Sequence, residues 1–136
     1  MSEEEQIVRR MIDAHNRGGD SMLDDYDELL APDFEFTPMT VGVMGSPDPA
    51  TYLGREGMRR YYEERAEAFG SGEVHIRSCE QIGEAVVVSA RSTARGRGSG
   101  VVLEEDITLV YWVRDAKAVR LQAFRSRDEA LEAARA

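Results

Sequence analysis

Three consecutive carboxylates, Glu104, Glu105 and Asp106, come directly before an apolar run that ends at Val113. Asp106 is the last of them, so partial burial at the start of a strand would raise the pKa of its carboxyl group. The two neighbouring glutamates would raise the same pKa by like-charge repulsion, towards the range that is useful for proton transfer. We therefore predict Asp106 as a catalytic acid or base. The alternative is a solvated acidic strand end.

Strand geometry leaves the direction of the Asp106 side chain open. Alternate residues of a strand point to opposite faces of the sheet. One face would hold Glu104, Asp106, Thr108, Val110 and Trp112, and the other Glu105, Ile107, Leu109 and Tyr111. Both faces are apolar beyond residue 106, so the sequence does not distinguish the interior from the exterior.

Five further residues are predicted to line a ligand pocket: Tyr26, Glu35, Tyr62, His75 and Trp112. Histidine titrates near neutral pH, and aromatic rings can contact an apolar ligand. Each residue also has a simpler interpretation, since aromatic residues mostly belong to the core, and Glu35 alternates with Phe34 and Phe36 like a solvent-facing strand residue. Neither His15 nor His75 has a partner at metal-ligand spacing, so we predict no metal and no cofactor.

The charge of the chain limits its partners. Its 136 residues carry a formal net charge of -9, which disfavours nucleic acid and anionic membrane surfaces as partners. Cys79 is the only cysteine, which favours a reducing compartment. The acidic start from Met1 to Glu5 differs from a signal peptide, and no apolar run approaches the roughly 20 residues of a membrane helix. We therefore expect a cytoplasmic protein.

Helical periodicity dominates the first half of the chain, and strand-like alternation dominates the second. Two S-x-x-E capping boxes, at residues 2–5 and 126–129, predict the starts of the first and last helices. Two further helices are expected before residue 70. Asp20 or Ser21 should cap the first of these, and Gly70-Ser71-Gly72 should end the second.

This order of elements predicts an α+β domain that spans residues 1–136. Three N-terminal helices would pack on a curved antiparallel sheet, and a short helix would close the chain. Such a sheet forms a cone that is open at one end, where a small hydrophobic molecule would bind. The segment from Met39 to Tyr52 has no clear periodicity, which is typical of a long loop, and it could form a rim or lid for that cone.

Three segments carry a family resemblance in their order along the chain. The first runs from Asn16 to Phe36, the second is Tyr52-Leu53-Gly54-Arg55-Glu56-Gly57, and the third runs from Arg95 through Tyr111-Trp112-Val113-Arg114-Asp115 to Asp128-Glu129-Ala130-Leu131. In these segments the chain resembles the nuclear-transport-factor-2-like superfamily, and within it the SnoaL-like group of polyketide cyclases and ketosteroid-isomerase-like proteins. The resemblance implies a cone-shaped fold over nearly the whole chain. It does not imply one activity, because the superfamily contains several.

The resemblance departs from ketosteroid isomerases at their catalytic residues, which are an Asp base and an oxyanion hole of a Tyr and a protonated Asp. The base precedes a proline after the first strand, where this chain has Thr37-Pro38, and the oxyanion tyrosine matches Met11. The resemblance to SnoaL-type cyclases implies a need for one carboxylic acid in the pocket, which Asp106 could meet if its side chain points inward. Limonene-type epoxide hydrolases use an Asp-Arg-Asp arrangement, which Arg91 could form in part with Asp106 across the sheet. The simpler expectation is that Arg91 belongs to a row of side chains that face solvent or a dimer partner.

Two hypotheses from different classes remain. In the first, the protein binds a small, mostly apolar molecule in the cone and converts it by acid–base chemistry of the isomerase, cyclase or hydrolase type. In the second, it is a non-catalytic binding or assembly module with a vestigial pocket. We expect a homodimer through the outer sheet face, because both faces of residues 107–113 are apolar. An enclosed cavity that holds Asp106 or Glu35 would favour the first hypothesis, and a cone filled by side chains the second.

Overall fold

The described part of the chain forms four helices and one sheet of six strands. A computed structural model describes residues 2–38, 51–96 and 98–136. The helices are α1 (Glu3–Arg17), α2 (Gly19–Leu29), α3 (Gly54–Ala68) and α4 (Arg127–Arg135). The strands are β1 (Leu30–Thr37), β2 (Tyr52–Leu53), β3 (Phe69–Ile82), β4 (Ala85–Gly96), β5 (Val102–Arg114) and β6 (Lys117–Phe124). Most of the predicted rim or lid, residues 39–50, lies outside the described residues.

The first and last helices begin at their predicted capping boxes. The Ser2 hydroxyl accepts a hydrogen bond from Glu5 N at 3.1 Å, and the Ser126 hydroxyl accepts one from Glu129 N at 3.4 Å. Each bond satisfies a backbone N–H that would otherwise have no partner in the first helical turn. None of the helices in the described ranges has the length and apolar character needed to cross a bilayer.

The corner between α1 and α2 depends on two glycines. Gly18 and Gly19 have φ angles of 69° and 67°, in the left-handed region that glycine adopts at little cost. This conformation turns the chain sharply, so that α2 already begins at Gly19. The prediction that Asp20 or Ser21 caps this helix is therefore wrong, and no side chain provides a cap there.

The strands form a curved, unclosed sheet in the order β2-β1-β6-β5-β4-β3, which confirms the predicted α+β cone. Strands β3 to β6 are antiparallel neighbours in chain order, and a two-residue turn at Asp115–Ala116 joins β5 to β6. Two details differ from the prediction. Strand β1 pairs in parallel with β6, and α3 follows β1 and β2, so the N-terminal helices divide into two plus one.

Strand β3 is longer than the sequence indicated. The glycine-rich segment Gly70-Ser71-Gly72 was expected to separate helix from strand, but β3 already starts at Phe69. Pairing with β4 holds the segment in extended form, with Gly72 opposite Ala94. The sheet therefore continues through this glycine-rich segment to the residue that follows α3.

Alternation along β5 separates two apolar clusters. Leu109, Tyr111 and Val113 face α1 to α3 and belong to the main core. Val110 and Trp112 point the other way and belong to a second cluster, which they form with α4. The interior of the cone is therefore the odd-numbered face of β5.

Helix α4 covers part of the outer sheet face. Ala130 and Ala134 pack against Ala85, Val87 and Val110, all of which are buried. This apolar part of the outer face is thus covered within the chain, by a helix that the sequence predicted but did not place. The outer apolar face therefore no longer requires a second copy of the chain to cover it. The homodimer stays a prediction.

The end of α1 is tied to the free edge of the sheet by one side chain. Asn16 Oδ1 accepts a hydrogen bond from Val74 N at 2.8 Å, and Asn16 Nδ2 donates one to Val74 O at 2.9 Å. Strand β3 is an edge strand, so these backbone groups have no strand partner on that side. The amide of Asn16 replaces the missing partner and fixes α1 against β3.

We expect Asn16→Ala to lower the free energy of unfolding by about 1–3 kcal/mol, because it leaves two partly buried backbone groups without partners. Urea unfolding would measure the change. Arg10→Ala is the matched control on α1, since it removes only an exposed 3.2 Å ion pair with Glu28 and should cost less than about 1 kcal/mol. Equal losses in the two variants would contradict the prediction.

Candidate functional site

A cavity of about 150 Å³ lies between the N-terminal helices and the inner face of the sheet. Most of the surface of its wall is apolar, because the rings of five tyrosines add to nine apolar residues: Ile12, Phe36, Pro38, Met58, Val74, Ile107, Leu109, Leu121 and Ala123. The polar residues of the wall are His15, Tyr26, Tyr52, Tyr61, Tyr62, Glu64, Arg65, Ser92, Glu105 and Tyr111. A mostly apolar wall with a few convergent polar groups is typical of small-molecule sites.

Three helices bring a histidine and two tyrosines together. His15 is the last residue of the inward stripe of α1, Tyr26 lies on the buried face of α2, and Tyr62 lies on α3. His15 Nδ1 lies 2.7 Å from the Tyr62 hydroxyl, which lies 3.1 Å from the Tyr26 hydroxyl. Tyr26 Oη also donates to the carbonyl oxygen of Met11 at 3.4 Å. The three side chains form a hydrogen-bonded relay, which we call the His15–Tyr62–Tyr26 relay.

Burial keeps the relay uncharged at neutral pH. Desolvation, with a smaller contribution from the Arg65 charge, lowers the pKa of His15 from 6.5 to about 4. Desolvation also raises the pKa of Tyr26, Tyr62 and the neighbouring Tyr111 well above the ordinary value for a phenol. The cavity therefore presents a neutral imidazole and neutral phenols, which can form hydrogen bonds but do not readily transfer protons.

Aromatic side chains form one wall of the cavity. The Tyr61 ring packs edge-on against Phe36, Tyr52 and Tyr62, with ring centroids 4.8, 5.4 and 5.2 Å apart. Edge-to-face pairs at these distances are favourable and directional. Arg65 Nη1 donates to the Tyr61 hydroxyl at 3.3 Å, which holds the polar end of this central ring.

Charged groups also reach the wall from α3 and the sheet. Glu64 accepts a 2.6 Å hydrogen bond from the Tyr52 hydroxyl, a bond that raises the pKa of Tyr52 to about 12. Glu105 lies on β5 opposite Ser92 of β4, and both residues line the cavity. Within the described residues, no group of three or more histidine, cysteine or acidic side chains could hold a metal ion.

Of the five predicted pocket residues, the structure brings Tyr26 and Tyr62 together at the cavity and places the other three elsewhere. Trp112 lies on the outer face, 4.7 Å from the guanidinium of Arg120. His75 is exposed beside Glu73, at 3.3 Å. Glu35 lines a shallow surface groove, because it points away from its buried neighbours Phe34 and Phe36.

Asp106 lies outside the cavity, contrary to the expectation that it points inward. Its side chain is 65% exposed and pairs with Arg91 at 3.1 Å and Arg77 at 3.3 Å. Arg91 also pairs with Glu104 at 3.1 Å. The even-numbered face of β5 is the outer face, so Asp106 and Arg91 belong to a solvated row. They do not form part of a water-activating site in the cavity.

Sequence reasoning did not select His15 and Glu105 as site residues, although both carried a signal. His15 continues the spacing of the buried stripe of α1, and Glu105 shares the strand face of Leu109 and Tyr111. The sequence did not show which face of β5 is inward. The prediction of Asp106 rests instead on its position as the last carboxylate before the apolar run.

Comparisons with known proteins agree with this architecture. A family model described as a SnoaL-like domain matches residues 8–121. A nuclear-transport-factor-2-like protein of unknown function from Burkholderia pseudomallei has 19% identity, full coverage of both chains (100% each) and a TM-score of 0.79. A protein from Jannaschia sp. CCS1, provisionally described as a SnoaL-like polyketide cyclase, has 20% identity, coverage of 98% of this chain and 92% of its own, and a TM-score of 0.75.

A third solved structure has a bound molecule. It is a protein with a ketosteroid isomerase-like fold from Catenulispora acidiphila, in complex with trimethylamine, with 17% identity and a TM-score of 0.74. The match covers 93% of this chain and 90% of that one. At these identities the likeness to solved structures concerns the fold alone. A comparison of the sequence with curated proteins finds no match.

We expect the protein to lose stability through His15 as the pH falls from about 6.5 to about 4. The unfolded chain takes up a proton near the ordinary pKa of 6.5, whereas folded His15 does so only near 4. The free energy of unfolding therefore falls by up to about 3 kcal/mol through this residue within this pH window. Below the window it levels off.

Urea unfolding of wild type and His15→Gln at neutral pH and at about pH 4.5 would measure this effect. His15→Gln should lose less stability on acidification than wild type. His75→Gln is the matched control, because His75 is exposed, and it should behave like wild type. A His15→Gln variant that is as acid-sensitive as wild type would disprove the assignment.

Proposed function

The chain belongs to the family of SnoaL-like domains, and on that premise we propose that it binds a small, mostly apolar molecule in the cavity between α1–α3 and the sheet. The observation that carries the proposal is an unfilled apolar cavity on which the uncharged His15–Tyr62–Tyr26 relay converges. A cone whose pocket had become vestigial would be filled by side chains. The geometry therefore supports a binding function better than a purely structural one.

The size and chemistry of the cavity limit the ligand. A volume of about 150 Å³ accommodates a molecule of about the size of benzene. The ligand should be uncharged where it meets the relay, since a charge buried beside neutral groups would lose its hydration without a counter-charge. The Catenulispora acidiphila protein, whose structure contains trimethylamine, supports the idea that this fold can hold a small molecule.

Filling the cavity should abolish binding. Ala123 lines the cavity on β6, and Ala123→Leu adds three carbon atoms there. We expect toluene, phenol and benzaldehyde to raise the midpoint of thermal unfolding of wild type, as ligands of the folded state do, and to have little effect on Ala123→Leu. Gln122→Leu is the matched control, because its side chain points to the opposite face of the same strand. If none of the three probes binds wild type, the proposed function is wrong.

A second candidate function is acid–base conversion of the bound molecule, with Glu105 as the proton acceptor. Among the described residues, no hydrogen bond or ion pair engages its carboxylate, and the residue lines the cavity opposite Ser92. The carboxylate would remove a proton from a carbon beside a carbonyl group, and the C–H electron pair would form the enolate. The protonated Glu105 would then return the proton to carbon or oxygen.

Exchange of the α-protons of cyclohexanone in D₂O, followed by proton NMR, would test this chemistry without knowledge of the substrate. If the candidate is correct, wild type accelerates the exchange, and Glu105→Gln removes most of the acceleration, by roughly 100-fold. Asp106→Asn is the matched control on the outer face and should exchange like wild type. Equal rates for wild type and Glu105→Gln would exclude Glu105, and no acceleration by wild type would exclude this second function.

A further inference from the structure

The hydrogen-bonded relay has a direction, because the group at one end of it can only accept a hydrogen bond. The carbonyl oxygen of Met11 lies 3.4 Å from the Tyr26 hydroxyl and has no proton to give. If Tyr26 donates to Met11, the 3.1 Å contact with Tyr62 must use the Tyr62 proton. The 2.7 Å contact between Tyr62 and His15 must then use a proton on His15 Nδ1. In this direction, from His15 to Met11, each of the three contacts has its own proton and is a hydrogen bond.

The opposite direction makes one hydrogen bond fewer. If Tyr62 donates to His15 Nδ1, Tyr26 must donate to Tyr62, and its contact with Met11 is lost. Buried polar groups in folded proteins are nearly always satisfied, so the arrangement with three bonds is favoured. A neutral imidazole carries one proton. With that proton on Nδ1, His15 Nε2 has a free electron pair.

His15 Nε2 remains accessible. Within the described residues it has no hydrogen-bond partner, and Arg9 Nε is the one fully buried side-chain nitrogen or oxygen without a partner. His15 Nε2 therefore keeps accessible surface on a residue that lines the cavity. The other two members of the relay use their protons within it. The relay can offer an electron pair to a ligand at His15, but it has no proton left to donate there.

We propose that the cavity selects a ligand with a hydroxyl group, such as a small phenol or alcohol, whose O–H donates a hydrogen bond to His15 Nε2. This inference rests on the proposed function and adds the chemical class of the ligand. The remainder of the ligand contacts the apolar wall. A molecule with only a carbonyl oxygen would place that acceptor against the electron pair of Nε2, so it binds less well.

The position of the imidazole proton can be tested without any ligand. The sequence has two histidines, so His75→Gln leaves His15 as the single histidine, and ¹⁵N NMR separates protonated from unprotonated ring nitrogens. At neutral pH we expect a proton on Nδ1 and none on Nε2. Tyr62→Phe removes the acceptor of that proton and should shift the population towards the Nε2–H form. A proton on Nε2 in the otherwise wild-type protein would overturn the inference.

Binding of phenol, benzaldehyde and toluene, measured by calorimetry, tests the ligand class. We expect phenol to bind wild type at least ~5-fold more tightly than benzaldehyde, the worth of about one neutral hydrogen bond. His15→Leu should weaken the binding of phenol by a similar factor and leave the affinity for toluene unchanged. The proposal would be overturned if wild type bound phenol and benzaldehyde with equal affinity. It would also be overturned if His15→Leu lost the same factor of affinity for phenol and for toluene. If no probe binds, the proposed function fails, and the NMR result still decides the direction of the relay.

Discussion

The side chains of β5 alternate between two faces of the sheet, and both faces carry apolar residues. A strand with two apolar faces must be covered on both sides, and the chain does this with different elements. Helices α1 to α3 cover the odd-numbered face, where Leu109 and Tyr111 join the main core, and α4 covers part of the even-numbered face at Val110. The same alternation sends Glu105 into the cavity and Asp106 into solvent. One choice of face thus determines both the core and the chemistry of the cavity.

The parts of the fold that sequence analysis predicted are those decided by local interactions. Each of the two capping boxes depends on a few adjacent residues, and the structure contains both where they were expected. The parallel pairing of β1 with β6 was not predicted, because it joins residues about 85 positions apart through crossover packing that no local pattern encodes. The prediction that Asp20 or Ser21 caps α2 was wrong, because two adjacent glycines form the turn and α2 begins without a side-chain cap.

The site was also predicted only in part, because some of its residues meet through contacts between distant parts of the chain. Tyr26 and Tyr62 were identified from their residue type on helices, and they do line the cavity. Asp106 was predicted because it is the last carboxylate before the apolar run, but β5 is apolar on both faces, so the sequence did not show that Glu105 is the carboxylate that points inward. His15 was visible as the end of a buried stripe. Its role required knowledge of Tyr62, which lies 47 residues away in sequence.

The His15–Tyr62–Tyr26 relay in the cone is polar without being charged. A buried ion pair would lose its hydration on folding and would fix one counter-charge, whereas neutral phenols and imidazole lose less. Each side chain of the relay has at least one hydrogen-bond partner, and His15 Nε2 is left for a ligand. An apolar molecule can therefore enter without breaking an internal ion pair.

The Asn16 amide has a consequence for how this molecule behaves at high concentration. A free edge strand of 14 residues is a template for pairing with another copy, and edge-to-edge pairing is a route to aggregation. By occupying both backbone groups of Val74, Asn16 interrupts the row of free donors and acceptors near the middle of β3. An incoming strand would find only short stretches on either side. The residue that anchors the first helix thus also protects the sheet against self-association.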